Sequence, residues 1–320
     1  MRLPVPLDPV GNKPFDAVGL GLNTTDLLAV VADHPAPGSK VPIVELASRP
    51  GGQAASAMTA VSRLGWAARY VGRFGDDENG RVGQASLAAD GVDISACEIM
   101  PGATNALSVV VVDQCSGQRT VLWSRHPALA LAPADVPVEA VGSGRVLLVD
   151  CHETAAAAAA ARHARAAGAA TVVDVEHVRP GVEELLAEID VIITAQEFPT
   201  ALTGQADLGR ALQILRASFG AGVVCTTLGA EGSLALVGGT EIRTPGFRVD
   251  VVDTTGAGDV FRGGFIAGWL SGGAGADVED VLRYANAVAA LKCRVLGARA
   301  GIPTRAEVEA LLRGETPRHR

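Results

Sequence analysis

Apolar residues along this chain gather into short runs, and between the runs they recur at helical spacing. Residues 16–22 form the first run, apolar and glycine-containing, as expected of a buried strand. A polar, proline-rich stretch at 33–39 leads to a short β-run at 41–46. Over 53–64 the apolar side chains fall at Ala54, Ala57, Met58, Val61 and Leu64, a helix that Gly65 stops. A strand at 68–71, a turn at Gly75-Asp76-Asp77 and a helix ending before Gly91 follow. Two β-rich runs, 105–113 and 119–124, are joined by Gln114-Cys115-Ser116-Gly117-Gln118, a hairpin signature that breaks the alternation. That hairpin and 41–46 are assigned to a separate sheet. Beyond it strands are expected at 146–150, 171–175, 191–194 and 223–227, with helices between them and two more at 258–270 and 278–295. Apolar strands alternating with helices imply an α/β fold, its mostly parallel sheet covered on both faces.

Composition narrows the class. The chain has 320 residues, 48% hydrophobic and 19% charged, enough to bury a substantial core. A net charge of -8 offers no basic footprint for nucleic acid, and 4% aromatic residues offer no platform for stacked bases. Residues 1–13 lack the apolar core of a signal peptide. The alanine-rich stretch 154–170 is interrupted by Arg162, His163 and Arg165, too short and too charged to span a bilayer, and reads as a surface helix. Cys97, Cys115, Cys151, Cys225 and Cys293 are scattered, which suits free thiols in a reducing cytoplasm.

The candidate chemistry centres on Asp253-Thr254-Thr255-Gly256-Ala257-Gly258-Asp259, which opens an amphipathic helix. Small residues at Gly256, Ala257 and Gly258 let backbone N–H groups converge, and a helix N-terminus adds partial positive charge. Together they make an anion hole for a transferring phosphoryl group. Asp259, one residue further, is placed to accept the proton of an attacking hydroxyl, and the helix end is expected to keep it ionised. No Walker A string occurs, and Gly19-Leu20-Gly21 lacks the third glycine of a dinucleotide fingerprint.

These residues resemble the C-terminal signature of the ribokinase-like (PfkB) carbohydrate kinases. The stretch from Gly51-Gly52-Gln53-Ala54-Ala55-Ser56 to Gly72-Arg73-Phe74-Gly75-Asp76-Asp77 resembles the family's N-terminal signature, and Thr226-Thr227-Leu228-Gly229-Ala230-Glu231-Gly232 its nucleotide-side strand and turn. The resemblance implies a three-layer α/β/α core over 14–28, 49–103 and 127–314, a β-lid over 29–48 and 104–126, and flexible tails at 1–13 and 315–320. It implies ATP and Mg²⁺ as cofactors, and a sugar as acceptor. Asp259 would be the base and Gly256, Ala257 and Gly258 the anion hole. Asp26, Gly51, Gly52 and Ser56 would meet the sugar, with Arg119 or Asn105 reaching in from the lid. Thr227, Gly229, Glu231, Gly232 and Asn286 would surround the nucleotide. Glu197 would act on Mg²⁺ through water, while Asp253 and Thr255 match positions that bind a monovalent cation such as K⁺ in several members. The sequence departs from the family at Ser56 and at Thr194, each standing where the family often has Asn.

Outside the resemblance, Asp150, His152 and Glu153 follow a strand end, where acceptor contact, His152 first, and a solvent-facing loop are equally open. Asp174, Glu176 and His177 lack zinc spacing and read as a polar loop. A nucleoside kinase, a sugar-phosphate kinase (Arg119 and Arg125 leave room for one) and a non-catalytic sensor are the rival readings. A homodimer through the lid sheet is expected.

Overall fold

Strands rich in Val, Ile and Leu on both faces need cover on both faces, and the runs at 144–150, 170–175, 191–194, 223–227 and 233–237 are of that kind. The computed structural model describes residues 1–115 and 119–315. Its strands are β1 (Phe15–Leu20), β2 (Thr24–Val31), β3 (Ile43–Gly51), β4 (Ala68–Val71), β5 (Arg73–Gly75), β6 (Glu98–Met100), β7 (Leu107–Asp113), β8 (Arg119–Ser124), β9 (Gly144–Asp150), β10 (Ala170–Val175), β11 (Val191–Thr194), β12 (Val223–Thr227), β13 (Ser233–Val237) and β14 (Thr240–Thr244). Its helices are α1 (Gln53–Arg63), α2 (Glu78–Ala89), α3 (Val138–Val141), α4 (Thr154–Ala166), α5 (Val182–Leu186), α6 (Phe198–Thr203), α7 (Leu208–Phe219), α8 (Ala257–Gly272), α9 (Val278–Lys292) and α10 (Arg305–Leu312).

Eight strands form the main sheet in the order β14-β13-β12-β11-β10-β9-β1-β4, parallel from β12 to β4. Successive residues of β9 point to opposite layers. Val146 and Leu148 pack with α1, α8 and α9 beside Phe265 and Trp269, whereas Leu147 and Val149 meet α4 and α7. The antiparallel strands β13 and β14 close the edge beyond β12, an addition the sequence reading did not anticipate. Between β9 and β1 the strand order reverses, and Leu22 and His152, just past the carboxyl ends of these strands, line a cleft, the usual place for a ligand in such a sheet. There the Leu22 N–H donates to Asp150 Oδ2 at 2.6 Å.

The second sheet, β3-β2-β7-β8, sits above that cleft's side of the core. Its register puts Asp26 opposite Ser108, and Ser108 opposite Trp123, so these three share one face with Leu28 and Val110.

Several expectations need correction. Dividing core from lid at 28/29 cuts through β2, whose polar Thr24-Thr25-Asp26 start hides its strand pattern. The expected run at 41–46 is a strand at Ile43–Gly51, carried through Gly51 by pairing with β2. Residues 1–13 are not a loose tail: Leu3, Val5 and Leu7 are buried, and the Leu3 N–H donates to the Ala276 carbonyl at 2.9 Å. The alanine-rich helix α4 is no surface helix either. Ala156 to Ala161 are buried, their small side chains letting the helix lie close on the sheet. The hairpin residues 116–118 and the tail residues 316–320 lie outside the described residues.

Candidate active site

α8 begins without a side-chain cap. Its N-cap, Gly256, has φ 74°, and a Cβ there would stand 2.8 Å from the Ala298 Cβ, so both backbone twist and close approach require glycine. The three-amide anion hole needs revision, because the Ala257 N–H already donates to the Thr254 carbonyl at 3.1 Å. The first-turn amides of Gly258 and Asp259 have no intrahelical acceptor and remain available to an anion.

Asp259 faces a cleft of about 410 Å³, lined also by Asp26, Gly52, His152, Thr255 and Gly256, a volume that suits a small-molecule ligand. Its side chain is mostly buried, at 9% exposure. Burial, followed by the charge of Glu176, pushes its pKa up to about 7, against the pull of Arg262. That is higher than expected for a carboxyl kept ionised by the helix end, because burial and the charge of Glu176 disfavour its charged form. Below it, Arg262 and Asp174 form an ion pair at 2.9 Å, both fully buried. The Asp174 oxygens make no aligned hydrogen bond, so this is a charge contact. Burial raises the Asp174 pKa well above the usual range, with Arg262 opposing.

On the facing sheet, Asp26 is raised by burial while hydrogen bonds from Thr24 and Ser108 hold it down; the Thr24 hydroxyl donates to its Oδ1 at 2.8 Å. Gly51 and Gly52 allow this packing. A Cβ on Gly51 would stand 2.0 Å from Asp26 Oδ2, and one on Gly52 2.4 Å from the Asn23 Cα. Arg119 reaches from β8 and donates to the Thr254 hydroxyl at 2.7 Å, bridging the two sheets' sides of the cleft. His152 lines the cleft, its backbone N–H donating to Asp150 Oδ1 at 3.1 Å.

Two expected sugar contacts lie elsewhere. Asn105 accepts the Gly75 N–H at 3.1 Å and holds the turn after β5, because its buried amide has that backbone group to satisfy. Ser56 sits fully buried behind the cleft, where Arg299 Nε donates to its hydroxyl at 3.3 Å. Conversely Glu176, His177, Arg179, Arg125 and Trp123 all line the cleft. The polar-loop reading of Glu176 and His177 missed this; their position directly after a parallel strand was the available signal.

The expected nucleotide residues are dispersed in role. Thr227 ends β12 and its hydroxyl donates to the Thr194 carbonyl at 3.4 Å. Gly229 and Gly232 bracket the turn before β13, and Glu231 is exposed and paired with Arg243. Asn286 is buried and donates to Ser233 Oγ and the Thr244 carbonyl, both at 3.2 Å, fastening α9 to β13 and β14. Glu197 is exposed just beyond β11.

Asp253, expected with Thr255 to hold a monovalent cation, is engaged by protein donors. Asp253 Oδ1 accepts the Thr255 N–H at 2.8 Å and hydroxyl at 2.7 Å, and Oδ2 accepts the Gly297 N–H at 2.7 Å. The Lys292 ammonium, 3.9 Å from Oδ2, donates to the Asp253 carbonyl at 2.9 Å. Burial works to raise the Asp253 pKa, but Lys292 and these donors hold it below the ordinary range.

Comparison with known proteins decides the family. Residues 16–305 match the model of the pfkB family carbohydrate kinases. The chain belongs to that family. It is therefore a phosphotransferase acting on an alcohol group. This pfkB protein is 32% identical over 269 residues to an ATP-dependent ribose-1-phosphate kinase of Halopiger xanaduensis, covering 82% of this chain and 86% of the relative. It is 27% identical over 296 residues to the ribokinase of Bacillus subtilis, covering 92% and 98%. In fold it is similar to Arabidopsis thaliana ribokinase complexed with ribose and ATP, with a TM-score of 0.81, 24% identity and coverage of 93% and 98%. The ribokinase-like fold expected from the motifs is thus the fold observed. No helix among the described residues is long and apolar enough to cross a membrane.

Proposed function

We propose that this pfkB-family protein transfers the γ-phosphoryl group of ATP to a hydroxyl of a sugar, with Asp259 as the base. The observation that carries this reading is that Asp259 and Asp26 face one cleft at the uncapped start of α8. Asp26 and the backbone at Gly51-Gly52 grip the acceptor's other hydroxyls. The reacting hydroxyl gives its proton to Asp259 as its oxygen bonds to phosphorus, and the bond from phosphorus to the β-phosphate oxygen breaks. The Gly258 and Asp259 amides take up charge on the transferring group. A pKa near 7 matches a base that must be free at neutral pH and still hold a proton during transfer.

Mg²⁺ fits as an ion carried by the nucleotide. Among the described residues no three His, Cys, Asp or Glu side chains form a metal cluster, whereas Glu197 offers an exposed carboxylate to a hydrated ion. Bound there, Mg²⁺ would neutralise phosphate charge. The nucleotide would lie along the ends of β11 and β12, beside the Gly229–Gly232 turn. The small sheet would act as the lid. Its outer face carries exposed Leu46 and Leu122, which suits a second copy of the chain. Light scattering of Leu46→Glu/Leu122→Glu against the parent tests that pairing.

A second reading has specific support. Arg119, Arg125, Arg179, His152 and His177 line the same cleft, and the Arg179 Nε is buried without a partner. Such a set suits an acceptor that already bears a phosphate. ADP release with ATP and Mg²⁺ over free sugars, nucleosides and sugar phosphates tests both readings. Acceptor-dependent ADP release is expected. Its absence across all three classes, with ATP binding confirmed, would overturn the proposal, and a preference for sugar phosphates would select the second reading.

A further inference from the structure

We propose that the ammonium of Lys292 is a built-in substitute for an exchangeable monovalent cation, fixing the phosphate-binding loop without K⁺. Lys292 is the last residue of α9 and is 0% exposed. An ammonium is buried so completely only where oxygen partners replace its water. Here the partners belong to the loop that opens α8, the Asp253 carbonyl at 2.9 Å and the Asp253 carboxylate at 3.9 Å. A carbonyl and a carboxylate facing one positive charge are also what a dehydrated monovalent ion would need.

The ammonium belongs to a clasp. The Val252 and Asp253 N–H groups donate to the Cys293 carbonyl at 2.8 and 3.1 Å, and the Gly297 N–H donates to Asp253 Oδ2 at 2.7 Å. Three residues later Gly256 lies against Ala298 and α8 begins. The segment 292–298 therefore grips both ends of 253–256, and Lys292 supplies its only lysine charge. Burial pulls the Lys292 pKa down. Asp253, Cys293 and Asp259 act against that pull, and Arg119 adds to it. A helix C-terminus is also a favourable place for a cation. Lys292 touches no reacting atom in this arrangement; it is a positioning residue.

The inference rests on the kinase reading for its rate measurement but not for its melting measurement. At fixed ionic strength, turnover and thermal unfolding of the full chain are followed in choline, Li⁺, Na⁺, K⁺ and NH₄⁺ chlorides. The parent is expected to change less than about twofold in rate, and to melt alike in choline and K⁺, since its cation is covalent. Lys292→Ala is expected to lose about tenfold or more in kcat in choline, to recover with K⁺ or NH₄⁺ but not Li⁺, and to gain a saturable K⁺-dependent rise in Tm. Lys292→Met, which fills the space without charge, should lose activity and stay unresponsive. A saturable K⁺ activation of the parent, or parent-like turnover of Lys292→Met in choline, would overturn the inference. Should Lys292→Ala not fold, the parent's response to K⁺ still decides it. Loss of turnover in every salt would overturn the kinase reading, while the melting series would still judge Lys292.

Discussion

The turn into α8 has an aspartate on either side, Asp253 before it and Asp259 in the first turn of the helix, and burial treats the two in opposite ways. Asp253 is enclosed by Lys292 and by the donors of Thr255 and Gly297, which together hold its pKa below the ordinary range. Asp259, six residues on, is enclosed with Glu176 nearby and Arg262 already opposite Asp174, and its pKa climbs to about 7. The lesson is that enclosure does not set a carboxyl's charge; the supply of donors and cations does. Asp253, before the helix, is a permanent anion used to shape the backbone. The other is left to exchange protons.

The sharpest way to break this contrast is at Asp259. Asp259→Asn should cut turnover by about 10³-fold, as removal of a general base does, while calorimetry shows ATP still binding. Near-normal turnover would remove the base assignment. Asp253→Asn should act on the scaffold first. Stranding Lys292 without its anion should cost about 3–5 kcal/mol in denaturant melts, with a smaller loss of turnover than Asp259→Asn. If the two variants were equal in rate and equal in stability, the division of labour would fail.

Arg262→Met should raise the Asp259 pKa further, because Arg262 is the group that lowers it. The rising limb of kcat/KM against pH, expected near 7 in the parent, should move to higher pH, and a downward shift would contradict the assignment. The two aspartates also predict opposite pH dependence of stability. The native Asp259 keeps its proton above the unfolded pKa, so its contribution is full below about pH 4 and is lost as pH rises toward 7. Asp253 contributes above about pH 4 and is lost as pH falls through its lowered native value. Melts of Asp259→Asn and Asp253→Asn across pH should lose these slopes separately. The smallest effect is expected on the nucleotide side. Asn286→Ala should cost about 1–3 kcal/mol of stability by orphaning buried acceptors, with little change in KM for ATP.

The parallel core was legible in the sequence because Val191–Thr194 and Val223–Thr227 are buried on both faces and read as unbroken apolar runs. The glycine loop was legible because a turn into a helix against Ala298 admits few residue types. Partners brought in from far along the chain were not legible. Nothing near Asp253 in sequence announces Lys292, and nothing near Ser56 announces Arg299. The resemblance places Asn105 and Asn286 at ligands; in the fold each buried amide also bonds a backbone group, as buried amides must wherever they lie. β2 escaped notice because its polar start belongs to the cleft.

The position of β1 also bears on how the molecule assembles. β9 to β12 are neighbours in sequence as well as in the sheet, but β1 lies between β4 and β9, pairing Phe15 with Gly144. The segment from β9 to β12 can therefore collapse through short crossovers, whereas β1 must close a long loop that contains the entire second sheet. Pulse-labelled hydrogen exchange during refolding should protect β9 to β12 before β1 and β4. The cleft, which needs both groups, would then be the last part of the protein to come into being.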